Sequence, residues 1–252
     1  MSVSLVNIVQ QCELLLKPAS FTDYPAAVNG LQVQNNGKVT RIAAAVDASL
    51  NVIQKVVASG ADLLLVHHGL FWSPTHPWTG RRYQLLRLLL DHNLAVYSSH
   101  LPLDAHPRLG NNVQLAQALN LKRPKPFFFE KGRHLGVQYA SQVSRAELAQ
   151  RLESATGNKP VVIPGGPEIC RRIGIVTGGA GEQLMIAANE GVDTFITGEG
   201  KHWTYALAEE AGINVLYGGH YATETFGVKA LAAQLSKKFS VPWVFIDHPT
   251  GL

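Results

Sequence analysis

Cysteine is scarce in this 252-residue chain: Cys12 and Cys170 stand far apart, with no C-x-x-C and no nearby Cys/His pairing. That excludes a disulfide framework and a thiolate zinc site, and leaves two packed thiols. Long apolar runs are missing too. None approaches the roughly 20 residues needed to cross a bilayer, and the opening MSVSLVNIVQQCELLLK lacks the basic stretch and cleavage site of an export signal. No membrane association is expected, and the expected location is the cytoplasm. Nor is there a P-loop G-x-x-x-x-G-K-[S/T]. The formal charge of +4 would favour anionic partners, but Lys and Arg are scattered apart from Lys122, Arg123, Lys125, Lys131 and Arg133. That stretch reads as a solvated connector, and without a basic face or recognition motif a nucleic-acid partner is not expected.

What the sequence does hold is a globular composition, 46% hydrophobic and 16% charged, with 23 Gly and 13 Pro spread along the chain. Short apolar runs at 42–46, 63–66 and 95–98 alternate with helical patterns at 51–59 and 83–90. The second half repeats the alternation, with runs at 173–177, 194–197 and 214–217 and helices at 183–189 and 205–210. An α/β fold with a mostly parallel sheet in each half follows. Ser144 and Glu147 form a capping box that opens a helix over 145–154. The expected division is a first α/β lobe over 1–125 and a second over 126–252, with the C-terminal helix and strand free to pack on the first.

The halves also resemble each other. A shift of 131 lays Gly60-Ala61-Asp62 on Gly191-Val192-Asp193, Gly69 on Gly200 and Trp72 on Trp203. A shift of 120 lays Tyr97 and His100 on Tyr217 and His220, with Asp104 against Glu224. The difference places 11 extra residues around Ser73 to Arg82, a Pro- and Trp-rich loop. Apolar repetition needs only a recurring strand-helix-strand unit. A histidine followed four residues later by a carboxylate, twice, is not a packing requirement, and it points to two similar lobes facing one cleft.

His67 and His68 leave the carboxyl end of an apolar strand, where open α/β sheets place their ligands. Adjacent strand residues point to opposite sides, so two such imidazoles suit two neighbouring ions. His220 and Glu224 share a helix face at i,i+4, and Asp104 adds a carboxylate able to bridge paired ions. Each also has a plainer use: a polar strand end, a solvated helix face, a turn cap. Taken together, the mixed nitrogen and oxygen donors suit Zn, Fe or Mn rather than Mg or Ca. His100 and Glu199 enter as repeat mates of His220 and His68. His100 beside a two-metal centre is a candidate catalytic proton carrier, whereas Glu199 fits ordinary hydrogen bonding. The glycine-rich turn Thr177-Gly178-Gly179-Ala180-Gly181 fits a structural junction better than an anion site.

The strings PAAVNGLQVQ, GADLLLVHHGLFW, HLPLDAHPRLGNN, GVDTFITGE and GGHYATETFG resemble those of the dinuclear-metal family known as GTP cyclohydrolase I type 2 homologues, or NIF-three-like proteins, from Tyr24 to Asp247. The resemblance is closest to the short bacterial type. It implies that His67, His68, Asp104, His220 and Glu224 bind two divalent metal ions, that two similar α/β lobes form a NIF-three-like layered fold with the site in the cleft between them, and that the chain assembles into a homohexameric ring. The expected activity is metal-dependent hydrolysis of a small-molecule substrate through a bridging water; a purine-type ring carbon, an amide and a phosphoester stay open as its target. A non-catalytic metal-binding, storage or regulatory protein is the alternative.

Overall fold

Ile42 to Val46 are all but fully buried, as are Leu63 to Val66 and Ala95 to Tyr97. Runs of β-branched, leucine and alanine side chains buried on both faces are what a parallel sheet covered by helices requires. In the computed structural model, which describes residues 2–72 and 76–252, these runs form the parallel strands Ile42–Asp47, Leu63–His68 and Ala95–Ser98. The strand Trp243–Phe245 extends the sheet in parallel beside Ile42–Asp47, and Gly30–Val33 closes the other edge antiparallel to Ala95–Ser98. Ser73, Pro74 and Thr75 of the Pro- and Trp-rich loop lie outside the described residues.

The second sheet has six strands. Its centre is again a parallel trio, Ile169–Ile175, Thr194–Thr197 and Asn214–Tyr217, flanked by Arg133–Ser144 and Lys125–Glu130 on one side and Val161–Pro164 on the other, all antiparallel. Ser144 caps the helix Arg145–Thr156 by accepting from the Glu147 N–H at 3.1 Å. By internal contacts the chain divides into two compact units, one of residues 1–103 with 227–248 and one of 104–226 with 249–252. The division expected at 125 would leave the helix Asn111–Ala118 in the first lobe; instead Leu115, Ala116, Leu119 and Leu121 pack with Tyr139, Leu148 and Ile173 of the second unit. No helix among the described residues is long and apolar enough to cross a membrane.

Hydrogen bonding within each unit follows one scheme. The Asp62 carboxylate accepts from the backbone N–H groups of Thr40 and Arg41, and the Asp193 carboxylate from those of Arg171 and Arg172, each partner 131 positions on. The third strands are spaced differently. Leu63 pairs with Ala95 and Thr194 with Asn214, so the second strands stand 131 apart and the third strands 119 apart. The shift of 120 that matches Tyr97 and His100 to Tyr217 and His220 is therefore one residue out of register with the strand pairing, which sets Leu216 in the place of Tyr97. A one-residue slip exchanges the faces of a strand: Tyr97 is buried, whereas Tyr217 is half-buried.

The basic stretch read as a solvated connector is a β-hairpin instead. Lys125–Glu130 pairs with Arg133–Ser144 through a two-residue turn in which Lys131 and Gly132 both have positive φ, 53° and 80°. Its flanking charges hide an apolar strand, for Phe127 and Phe128 are both fully buried. Consecutive strand residues normally face opposite ways. Here Phe128 adopts φ 63°, and its N–H and that of Phe129 are held by the Glu190 carboxylate at 2.8 and 2.6 Å. The left-handed residue lets both rings pack on Phe195, Phe128 stacked at 5.8 Å and Phe127 edge-on at 6.3 Å.

Candidate metal centre

The strand Leu63–His68 runs through both histidines rather than ending before them, because His68 still pairs with Asp47 across the sheet. The paired register also puts the two side chains together: His68 Nδ1 donates to Asp47 Oδ1 at 2.8 Å. His67 is fully buried and donates from Nδ1 to the Ser99 carbonyl at 2.9 Å. His100, at the turn after Ala95–Ser98, donates from Nδ1 to Asp23 Oδ1 at 2.8 Å. In the first unit, nitrogens of His67, His68 and His100 lie within 4.8 Å of one another, a group able to hold a metal ion.

Asp23 is fixed in turn by the Asn29 amide at 2.8 Å and the Tyr24 N–H at 2.7 Å, while Asn29 Oδ1 accepts the His100 N–H at 2.7 Å. Burial alone would raise the Asp23 carboxyl, but its bonds to the His100 ring, Asn29 and Tyr24 hold it below the usual carboxylate value.

Within the second unit, His220 opens the helix His220–Phe239, so His220 and Glu224 share one face of its first turn. His220 Nε2 lies 3.2 Å from Glu224 Oε2, and Nδ1 lies 2.7 Å from Glu199 Oε1. Glu199 thus orients His220. Asp104 ends the short helix Leu101–Asp104 and is buried; its Oδ1 accepts from Asn111 Nδ2 at 2.8 Å and Thr177 Oγ1 at 3.4 Å. Asn112, fully buried, ties the Asp104 carbonyl to the Leu135 carbonyl through its amide and accepts the Thr177 N–H at 2.8 Å.

The turn Thr177 to Gly181 has no room for an outside anion at Gly178, since a carboxylate of the chain already sits there. At φ 74° a Cβ on Gly178 would collide with Glu224 Oε1. The same residue bonds outward through its carbonyl, which accepts the Gly198 and Glu199 N–H groups at 2.8 and 3.1 Å. The glycine lets the backbone approach the Glu224 carboxylate.

Metal-binding histidines characteristically give their second ring nitrogen to a carboxylate or carbonyl, which fixes the tautomer and leaves Nε2 as the lone-pair nitrogen. His67, His68 and His100 give Nδ1 to an oxygen in that way, and so does His220, whose Nε2 faces Glu224 Oε2. His106 is the contrast: its Nδ1 accepts the Arg108 and Leu109 N–H groups at 3.2 and 3.0 Å, and burial together with Arg108 pushes its pKa down. It serves the turn, not an ion. On this chemistry the residues fit divalent zinc, iron or manganese. The orienting residues Asp23, Asp47, Asn111, Asn112 and Thr177 escape sequence reasoning, although an aspartate ending the apolar strand Ile42–Asp47 beside a histidine-bearing strand is a usable signal for Asp47.

Burial would depress the His220 pKa, but Glu224 and then Glu199 overcome it and raise it from 6.5 to about 9. Its folded value exceeds its unfolded one, so the stabilisation is complete below about 6.5 and disappears as pH rises through about 9. Metal-free protein should therefore melt several degrees lower at pH 9.5 than at pH 6, an effect of order 2 kcal/mol that Glu199→Gln reduces. Thermal melts at both pH values check it; a pH-independent Tm difference between the two proteins refutes the assignment. The same proton competes with metal, so affinity there should fall as pH falls.

The chain matches the profile of DUF34/NIF3 (NGG1p interacting factor 3) over residues 3–251. It is 43% identical over 232 residues to the "GTP cyclohydrolase 1 type 2 homolog" of Deinococcus radiodurans, covering 91% of this chain and 88% of the relative. Among solved structures, TTHA1606 from Thermus thermophilus superposes with a TM-score of 0.91 at 39% identity, covering 99% of this chain and 100% of the other. Reduced HcgD from Methanocaldococcus jannaschii follows the same fold at TM-score 0.87 and 27% identity, over 98% and 99% of the two chains. On its fold, its donor residues and these matches, the chain belongs to the DUF34/NIF3 family.

Proposed function

We propose that the chain is a metal-dependent hydrolase in which His67, His68, Asp104, His220 and Glu224 bind two divalent ions, zinc, iron or manganese. The observation that carries this reading is the Nδ1 anchoring of His67, His68 and His220, each to a carbonyl or carboxylate oxygen. The name borne by relatives, GTP cyclohydrolase 1 type 2 homolog, agrees with hydrolysis at an electrophilic carbon. A small-molecule substrate and a homohexameric assembly belong to the same proposal.

Paired divalent ions, when bound, lower the pKa of water and neutralise charge developing on the substrate. The chain's own groups do the rest. Asp47, Ser99 and Glu199 hold the ligand imidazoles in one tautomer, Asn111 and Thr177 hold Asp104, and His100, with its Nδ1 proton kept by Asp23, takes or gives a proton at Nε2.

Elemental analysis of the metal-loaded protein should find about two ions per chain, and a His67→Ala/His68→Ala double variant should bind far less. Turnover would then be measured against GTP, amides and phosphoesters, metal by metal. Activity that persists unchanged in the double variant sinks the catalytic reading; bound metal without turnover leaves a storage or regulatory protein.

A further inference from the structure

The rings of His67, His68 and His100 do not pack as aromatic neighbours usually do. Paired rings favour an offset stack or an edge-to-face contact. Here the three interplanar angles are 46°, 47° and 47°, with centroids 4.8, 4.9 and 5.6 Å apart, and no pair reaches either favoured arrangement. Near-equal mutual tilts at similar separations are what blades around a common axis show. One nitrogen of each ring lies within 4.8 Å of those of the other two.

Three separate anchors settle which nitrogen each ring offers. His67 gives Nδ1 to the Ser99 carbonyl, His68 to Asp47 and His100 to Asp23, which leaves Nε2 as the lone-pair nitrogen on every ring. His100 is fixed twice over, because its own N–H is held by Asn29. It also takes, in the first unit, the place that His220 has in the second. Each follows the third parallel strand of its sheet, and each gives Nδ1 to a carboxylate, Asp23 or Glu199. All three imidazoles of the group lie inside the first unit.

We propose that a chain holding a single zinc-type ion binds it on three imidazoles, those of His67, His68 and His100, with no donor from the second unit. An all-imidazole set with a position left open suits zinc, copper or nickel better than manganese. A second ion changes the arrangement: His67 and His68 are divided between two neighbouring ions, the carboxylates of Asp104 and Glu224 join, and His100 is released to carry protons. His100 is thus a ligand of the first ion and the proton carrier of the filled centre. The second step rests on the two-ion reading, whereas the three-imidazole site stands without it.

Zinc binding to a His220→Ala/Glu224→Ala variant tests the proposal, because that protein keeps all three imidazoles and loses two donors of the second unit. It should bind one zinc per chain, and zinc-edge X-ray absorption should count three imidazoles around it. Adding His100→Ala should weaken zinc binding about tenfold or more in chelator competition and bring the count to two. His100→Ala alone should weaken the first equivalent of zinc in the otherwise unaltered protein by a similar factor. That comparison decides the matter if circular dichroism shows the double variant unfolded. Equal zinc affinity with and without His100, or a folded double variant with no zinc or fewer than three imidazoles, overturns the proposal. One zinc on three imidazoles in a wild type that takes up no second ion sinks the two-ion reading instead, and leaves the three-imidazole site standing.

Discussion

Gly178→Ala should displace the carboxylate of Glu224, a proposed metal ligand, while leaving the second sheet folded. Two effects add. At φ 74° any residue with a Cβ carries backbone strain of about 1 kcal/mol or more. The new methyl group would also collide with Glu224 Oε1, and the carboxylate has little freedom to retreat, because Glu224 is 3% exposed and rigid on a 20-residue helix. The Gly178 backbone cannot move away easily either: its N–H donates to Thr223 Oγ1 at 3.1 Å and its carbonyl receives three donors, the N–H groups of Gly198 and Glu199 and Thr197 Oγ1. The side chain is therefore expected to swing, and metal affinity at His220 and Glu224 to fall tenfold or more, the usual consequence of disturbing a ligand's surroundings. Competition with a chelator measures it. Wild-type affinity in the variant would show that Glu224 binds no ion.

Phe127→Ala carries the largest expected loss of stability. The ring is fully buried against Phe128 and Phe195, and it lies over two residues without side chains: a Cβ on Gly174 would collide with it, and one on Gly136 would come within 3.1 Å. Glycines cannot swing a side chain into the space, so most of the cavity should persist. Phe to Ala changes of this kind cost about 3 to 5 kcal/mol, which for a protein of this size lowers Tm by roughly 10 °C. Urea denaturation followed by circular dichroism gives the number, and a loss under about 1 kcal/mol would mean the hairpin repacks.

The legible and illegible parts of this chain divide along physical lines. Strands at 95–98, 194–197 and 214–217 appear with the bounds their apolar runs predict. Such runs are buried on both faces, so the hydrophobic pattern alone defines them. His220 and Glu224 fall on one helix turn as their spacing requires. The hairpin at 125–144 is hidden because its buried pair, Phe127 and Phe128, breaks the alternation of two through a left-handed residue stabilised by the distant Glu190. The donors' supporting residues are hidden for a related reason. Asp23 reaches His100 from an irregular segment 77 positions away, and nothing periodic marks it.

Because Nδ1 of His67, of His68 and of His220 is already committed to an oxygen, folding itself would decide which nitrogen of each proposed ligand meets an ion, before any ion arrives. Rotating the rings adds no entropy cost at the moment of capture. Loading should then need no ring rotation, only loss of the proton that His220 shares with Glu224, with the occupant set by whichever ion the surroundings supply in greatest effective concentration. In such a protein selectivity is a property of the cell's metal supply more than of the pocket.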